Sequence, residues 1–135
     1  MPTLLEIVSP DKLLLSQPVD MAVIPAAEGD MGVMPGHSPM IVLLRGGTIV
    51  LHEGGRPTSR LFVSGGFAEI TPDRCTVLAD EAVPVAEVSR ATAESRLTAA
   101  QAEYDAANKM DVPAVDMAMS HLQSARAMLA AAEAP

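Results

Sequence analysis

Leu78-Ala79-Asp80-Glu81-Ala82-Val83-Pro84-Val85-Ala86-Glu87-Val88-Ser89-Arg90-Ala91 is the stretch across which the chain changes character. Every glycine lies at or before Gly66, and all prolines but Pro113 and Pro135 lie at or before Pro84. Beyond Val85 alanine is the commonest residue. Glycine and proline punctuate short extended segments, whereas alanine is the best helix former, so the shift marks a change from β to helical backbone. The expected fold class is α+β: an N-terminal antiparallel β-sandwich over residues 1–84, then a C-terminal antiparallel α-helical hairpin over residues 85–135.

Upstream of that stretch the sequence reads as short strands between turn signals. Leu4 to Val8 forms one strand, stopped by Ser9-Pro10-Asp11. Leu13 to Leu15 forms another, stopped by Gln17-Pro18, and Val19, Met21 and Val23 alternate with Asp20 and Ala22 as in a half-buried strand. Met40 to Leu44, Thr48 to Leu51 and Leu61 to Val63 are apolar runs of strand length. Glu53-Gly54-Gly55-Arg56 fits a hairpin turn, because paired glycines supply positive φ. Thr71-Pro72-Asp73-Arg74 fits a type I turn between strands at Phe67 to Ile70 and Cys75 to Ala79. Many short strands at this spacing indicate a sandwich or barrel rather than βαβ units.

Downstream, Ala93, Leu97, Ala100, Tyr104 and Ala107 recur at three- and four-residue steps, and so do Val115, Ala118, Leu122, Ala125, Leu129 and Ala132. Each set makes one helix face. Between them Asn108-Lys109-Met110-Asp111 breaks the pattern, with Asp111 placed to cap the second helix and Pro113 in its first turn. A short loop makes the helices antiparallel neighbours. Alanines at the seam bury little area, so the hairpin needs the β domain or a partner to stay docked. Met117, Met119 and Met128 flank the seam and are read as gap-fillers of the core.

Composition excludes several classes of function. The net charge of -8 opposes a nucleic-acid partner, since neutralising phosphate needs clustered Lys and Arg. It likewise opposes direct lipid contact on an anionic surface. Cys75 is the only cysteine, which excludes a disulfide framework and fits a reducing compartment. The first residues lack a basic region and carry Glu6, unlike a secretion or transit signal, and no apolar run is long enough to span a bilayer.

The sequence carries no pattern of a catalytic, cofactor or metal site. Gly29, Gly32 and Gly36 are not followed by Gly-Lys-Ser/Thr, so no phosphate loop exists. His37, His52 and His121 sit at no metal-ligand spacing. Adjacency of His37 and Ser38 along a chain is not catalytic geometry. A buried, inert thiol is the reading for Cys75, which has apolar strand neighbours at Val77 and Ala79. Two stretches, Ile24 to Pro39 and Ser64 to Ala82, hold more special backbone residues than simple hairpins need.

Those two stretches resemble the epsilon-subunit family of bacterial F-type ATP synthase, the counterpart of the mitochondrial delta subunit. The pattern appears here as Glu28-Gly29, then Gly32-Val33-Met34-Pro35-Gly36-His37 with Pro39, and as Gly65-Gly66 followed by Val77-Leu78-Ala79-Asp80-Glu81-Ala82. The resemblance covers the β domain throughout; in the tail it rests on architecture. It implies a non-catalytic central-rotor subunit whose sandwich clasps the gamma subunit and stands on the c-ring, coupling ring rotation driven by proton flow to ATP synthesis in the catalytic head. It also implies a peripheral position on the cytoplasmic face of a bacterial cytoplasmic membrane. The family loop that faces the ring matches Glu28 to Ser38, so Glu28, Asp30, Met31, His37 and Ser38 are the expected ring contacts.

In many members of that family the hairpin opens and inhibits ATP hydrolysis, with basic residues meeting the beta subunit, so the alpha and beta subunits are further expected partners. Here the tail has Arg90, Arg96, Lys109 and Arg126 against seven carboxylates, a poor electrostatic match to an acidic surface. Some members bind ATP through Ile-Asp-x-x-Arg-Ala. The matching stretch runs from Ala86 to Ala91, which makes Glu87, Arg90 and Ala91 the nucleotide-binding candidates, with Ala86 in place of the branched residue. Two rival classes stand beside the rotor subunit: a free-standing regulatory adaptor that uses the hairpin as its arm, and a small enzyme using the His37 loop.

Overall fold

The structure is a computed structural model and describes residues 2–133. Ten strands are followed by a 3-10 turn and two helices: β1 Thr3–Val8, β2 Leu13–Val19, β3 Met21–Ala26, β4 Gly29–Val33, β5 Met40–Leu44, β6 Gly47–Glu53, β7 Arg56–Val63, β8 Gly66–Thr71, β9 Arg74–Ala79, β10 Ala82–Pro84, the turn Val85–Glu87, α1 Arg90–Ala106 and α2 Val112–Glu133. The strands form one folded-over sheet in the order β10-β7-β6-β3-β5-β8-β9-β1-β2, with β4 pairing β3. β3 carries the sheet between its two layers. Its first half pairs β6 through Met21 to Val23, and its last residue, Ala26, meets Leu44 of β5. The layers close over a core that includes Leu5, Ile7, Ile24, Val33, Ile49, Leu51, Ile70 and Val77, all at most 1 % exposed. This α+β fold is the one expected, although β1 and β9 pair in parallel within an otherwise antiparallel sheet. Some sixty residues separate those two strands, so no hairpin constrains their direction.

Several boundaries differ from the sequence expectation. β2 runs through Gln17 and Pro18 to Val19 instead of stopping before them. It is an edge strand of the sheet, where a missing N–H is tolerated. Asp20 then turns the chain, so Val19 and Met21 to Val23 belong to different strands. Much of the stretch from Ile24 to Pro39 is itself a hairpin, β3 and β4 joined at Ala27-Glu28. β7 starts at Arg56, five residues before its buried end, because its first half is exposed on both faces and shows no apolar signal.

The Gly65-Gly66 pair has a steric reason. At Gly66 φ is +133°, and a Cβ built there would stand 2.0 Å from the Leu78 carbonyl oxygen and 3.0 Å from Ala79 Cα. β8 and β9 can therefore meet at this rung only through a glycine.

In the hairpin, Ser89 accepts a hydrogen bond from Thr92 N at 3.2 Å and caps α1. Asp111 caps α2, accepting from Ala114 N at 3.3 Å. Lys109 donates to the carbonyls of Tyr104 and Ala107 and lies 4.3 Å from the Tyr104 ring centroid, closing the C-terminal end of α1. Ala93 and Ala100 are buried on α1, while Ala107 lies just past the helix as its cap. On α2 the seam residues Ala118, Leu122 and Ala125 are buried, but so are Met128 and Ala131, which pack with Phe62 and Ala93 against the sandwich. Met117 and Met119 are 61 % and 51 % exposed, not gap-fillers. Each lies one residue away from buried Ala118, and that 100° step turns it out of the seam.

Candidate functional site

The five expected ring-contact residues line one strand and its flanking loops rather than one point. Glu28 is exposed in the β3–β4 turn. Asp30 is exposed at the start of β4, and its Oδ1 accepts from Arg45 Nη2 at 2.7 Å. Met31 alternates inward and is half-buried against the core. His37 and Ser38 lie beyond the other end of β4, where His37 Nδ1 meets the Ser38 carbonyl at 2.8 Å. Gly36 N donates to Pro72 O at 2.6 Å, which ties this loop to the β8–β9 turn. About 3.3 Å of strand per residue separates the two groups, so one contact surface would have to run the length of β4.

The nucleotide-binding candidates lie where the sandwich passes into α1. Glu87 is exposed in the 3-10 turn and Ala91 is exposed on α1. Arg90 Nε is held by Glu94 Oε1 at 3.0 Å on the same helix face. A cavity of about 610 Å³ between sandwich and hairpin has Phe62, Ser64, Arg96, Glu103, His121 and Met128 among its walls, but none of these three.

A surface not singled out in the sequence lies on the outer side of β5, β8 and β9. Leu43 and Ile41 are 70 % and 69 % exposed, Phe67 is 43 % exposed and Leu78 is 38 % exposed. Register puts Leu43 opposite Phe67 and Phe67 opposite Leu78, so three large apolar side chains form a row across three strands. Ile41 faces Glu69, which faces Thr76, and Glu6 with Arg74 at 3.5 Å continues this polar margin. The signal was present in Met40-Ile41-Val42-Leu43-Leu44. A strand apolar at consecutive positions has two apolar faces, and one fills the core while the other awaits a cover.

Electrostatics elsewhere are quiet. The buried Cys75 thiol is pushed up to about 11 by desolvation, which keeps it an unreactive core group. Among the described residues no three His, Cys, Asp or Glu side chains come together as a metal site. Arg96 of α1 makes a two-pronged contact with Glu81, Nη2 donating to Oε2 at 2.9 Å, and thereby joins hairpin to sandwich. The hydrogen bond from Arg96 holds the Glu81 carboxyl below its ordinary value and raises Arg96. A depressed carboxyl stabilises the folded contact above the ordinary carboxylate pKa, and this contribution is lost as pH falls through the lower folded value. Glu81→Gln should therefore lower the melting temperature of the helical signal at pH 7 by a few degrees, and the difference from the parent should shrink in acid below pH 4.5. Circular dichroism at 222 nm on both proteins across that range tests this, and a gap that persists undiminished would refute it.

Residues 3–85 match the family model described as ATP synthase, Delta/Epsilon chain, beta-sandwich domain. The chain is 64 % identical to the ATP synthase epsilon chain of Granulibacter bethesdensis over 130 residues, covering 96 % of each. It is 51 % identical to that of Gluconacetobacter diazotrophicus over 135 residues, covering all of this chain and 96 % of the relative. Among solved structures it is similar to a chain of the Euglena gracilis mitochondrial ATP synthase, in a complex of OSCP, F1 and c-ring, with a TM-score of 0.76 and 25 % identity over 96 % of this chain and 81 % of that one. A chain from the central stalk and c-ring of the Tetrahymena thermophila enzyme shares the fold at a TM-score of 0.66 and 12 % identity, over 98 % of this chain and 97 % of that one.

Proposed function

The chain belongs to the delta/epsilon-chain family of ATP synthase, as an epsilon chain and thus a structural rather than catalytic subunit, and from this premise we propose that it couples c-ring rotation through the gamma subunit to the catalytic head. The observation that carries the reading is the exposed row Leu43, Phe67 and Leu78. An acidic chain with an uncovered apolar sheet face is built to bury that face against a permanent partner. In this reading the partner is the gamma subunit. The margin of β4, from Glu28 to Ser38, faces the polar loops of the c-ring, and the sandwich, residues 1–84, is the coupling module. The hairpin, residues 85–135, is the regulatory module, with the alpha and beta subunits within its reach. No helix among the described residues is long and apolar enough to cross a membrane. The chain sits peripherally on the cytoplasmic face of the bacterial membrane, held there by protein contacts alone.

The Asp30 carboxylate projects from β4 and is paired with Arg45. Asp30→Lys reverses that charge, sets two cations against each other and removes the anion from the ring-facing margin. The expected result is weaker attachment of the catalytic head to membranes and a loss of proton-pumping driven by ATP, with the melting temperature changed by no more than a few degrees because the pair is exposed. Retention of the head on stripped and reconstituted membranes measures it, and full retention would count against this margin as the ring contact.

A further inference from the structure

Arg45-Gly46 links β5 to β6, and Gly46 is buried. Its N–H donates to Gln123 Oε1 at 2.9 Å, and its carbonyl accepts from Gln123 Nε2 at 2.6 Å. One side-chain amide thus exchanges both bonds with one backbone residue, as two residues do in a hydrogen-bonded antiparallel rung. The two bonds also fix which end of the amide is oxygen. The neighbouring residue on α2 completes the arrangement. A Cβ built on Gly46 would lie 2.5 Å from Ser124 Cα and 2.8 Å from Ser124 Cβ, so helix and sheet backbones touch where only glycine leaves room.

We infer that Gly46 and Gln123 form the latch that keeps the helical hairpin docked on the sandwich. The apolar part of this interface gathers Phe62, Ala93, Met128 and Ala131, with Val85, Val88 and Leu129 partly buried beside them. A second polar attachment, Arg96 to Glu81, is substantially exposed. The amide pair is the part-buried polar contact, and its loss would strand a backbone donor and acceptor at the interface. A latch of two hydrogen bonds can open without unfolding the sandwich, so it sets the docked population while leaving the core intact. The inference concerns the isolated chain and does not depend on what the sandwich binds.

Hydrogen–deuterium exchange on the full-length protein tests it. Gln123→Ala should raise exchange about tenfold along both α1 and α2, the effect of losing one to two ordinary hydrogen bonds, because an undocked alanine-rich hairpin is marginal. Exchange in β1, β8 and β9 should stay at the parental rate. Gln101→Ala, which removes a glutamine whose partner is Asp105 on the same helix, should change neither module. Gly46→Ala should reproduce the Gln123→Ala pattern; if that variant unfolds the sandwich as well, Gln123→Ala alone decides. Parental exchange along both helices of Gln123→Ala, or a change confined to the Gly46 amide, would overturn the latch.

Discussion

Replacing Leu43 and Phe67 together by aspartate should abolish binding of the chain to the gamma subunit, weakening it by a hundredfold or more, while leaving the sandwich folded. Leu43 is 70 % and Phe67 43 % exposed in the free protein, so the substitution costs the sandwich only modest burial and the repulsion of two like charges at facing positions. In the complex each carboxylate would enter an apolar contact without a partner, at a cost of roughly 2 kcal/mol or more apiece. The apolar burial of Leu43 and Phe67, worth about 25 cal/mol per Å², is lost as well. Since every 1.4 kcal/mol or so is tenfold in affinity, a hundredfold loss is a conservative expectation. Titration of isolated gamma subunit with parent and variant measures it. A variant with parental affinity and parental circular dichroism would remove this face from the account.

Gly66→Ala should cost about 3 kcal/mol or more and lower the melting temperature of the β domain by roughly 10 °C or more. The added Cβ would stand 2.0 Å from the Leu78 carbonyl oxygen, and the backbone φ of +133° is itself unfavourable for any side chain. β8 and β9 must then part at the rung where Gly66 faces Ala79. The adjoining rung pairs Phe67 with Leu78, so the apolar row would be displaced too. The variant should lose gamma binding in proportion to its unfolding. Thermal unfolding followed at 218 nm tests this. A melting temperature within a degree or two of the parent would mean that the strands have room the structure does not show.

The two-part fold was legible because residue type and backbone geometry agree along the chain. Glycine and proline mark turns, and alanine at three- and four-residue steps marks helix faces. Turn signals bounded β1, β8 and β9, each of which has one buried face. Edges were not legible, since the tolerance of β2 for Pro18 depends on its having no further neighbour. Nor was the position of β4, because Asp30 and Gly32 carry no strand signal and owe their conformation to β3. The helix faces were half-read. Ala118, Leu122 and Ala125 follow from periodicity and Met128 reads as a core residue, whereas Ala131 is buried in a cluster with Phe62, a residue more than sixty positions earlier. The residues expected to face the ring followed from the family resemblance, and they are strung along β4 and its flanking loops. The apolar face was half-legible: Met40 to Leu44 is apolar throughout, but only register shows which of its side chains turn outward and what they join. The Gly46 and Gln123 pair had no local signal at all, since it joins residues far apart in sequence.

The most direct measurement of the rotor reading places a photoreactive residue at Leu43 in one protein and at Asp30 in another, expresses each in cells with the complete ATP synthase, and identifies the cross-linked partner on isolated membranes. Position 43 should cross-link to the gamma subunit and position 30 to a c-ring subunit. Cross-linking of position 43 to a second copy of this chain, or to no subunit of the complex, would contradict it.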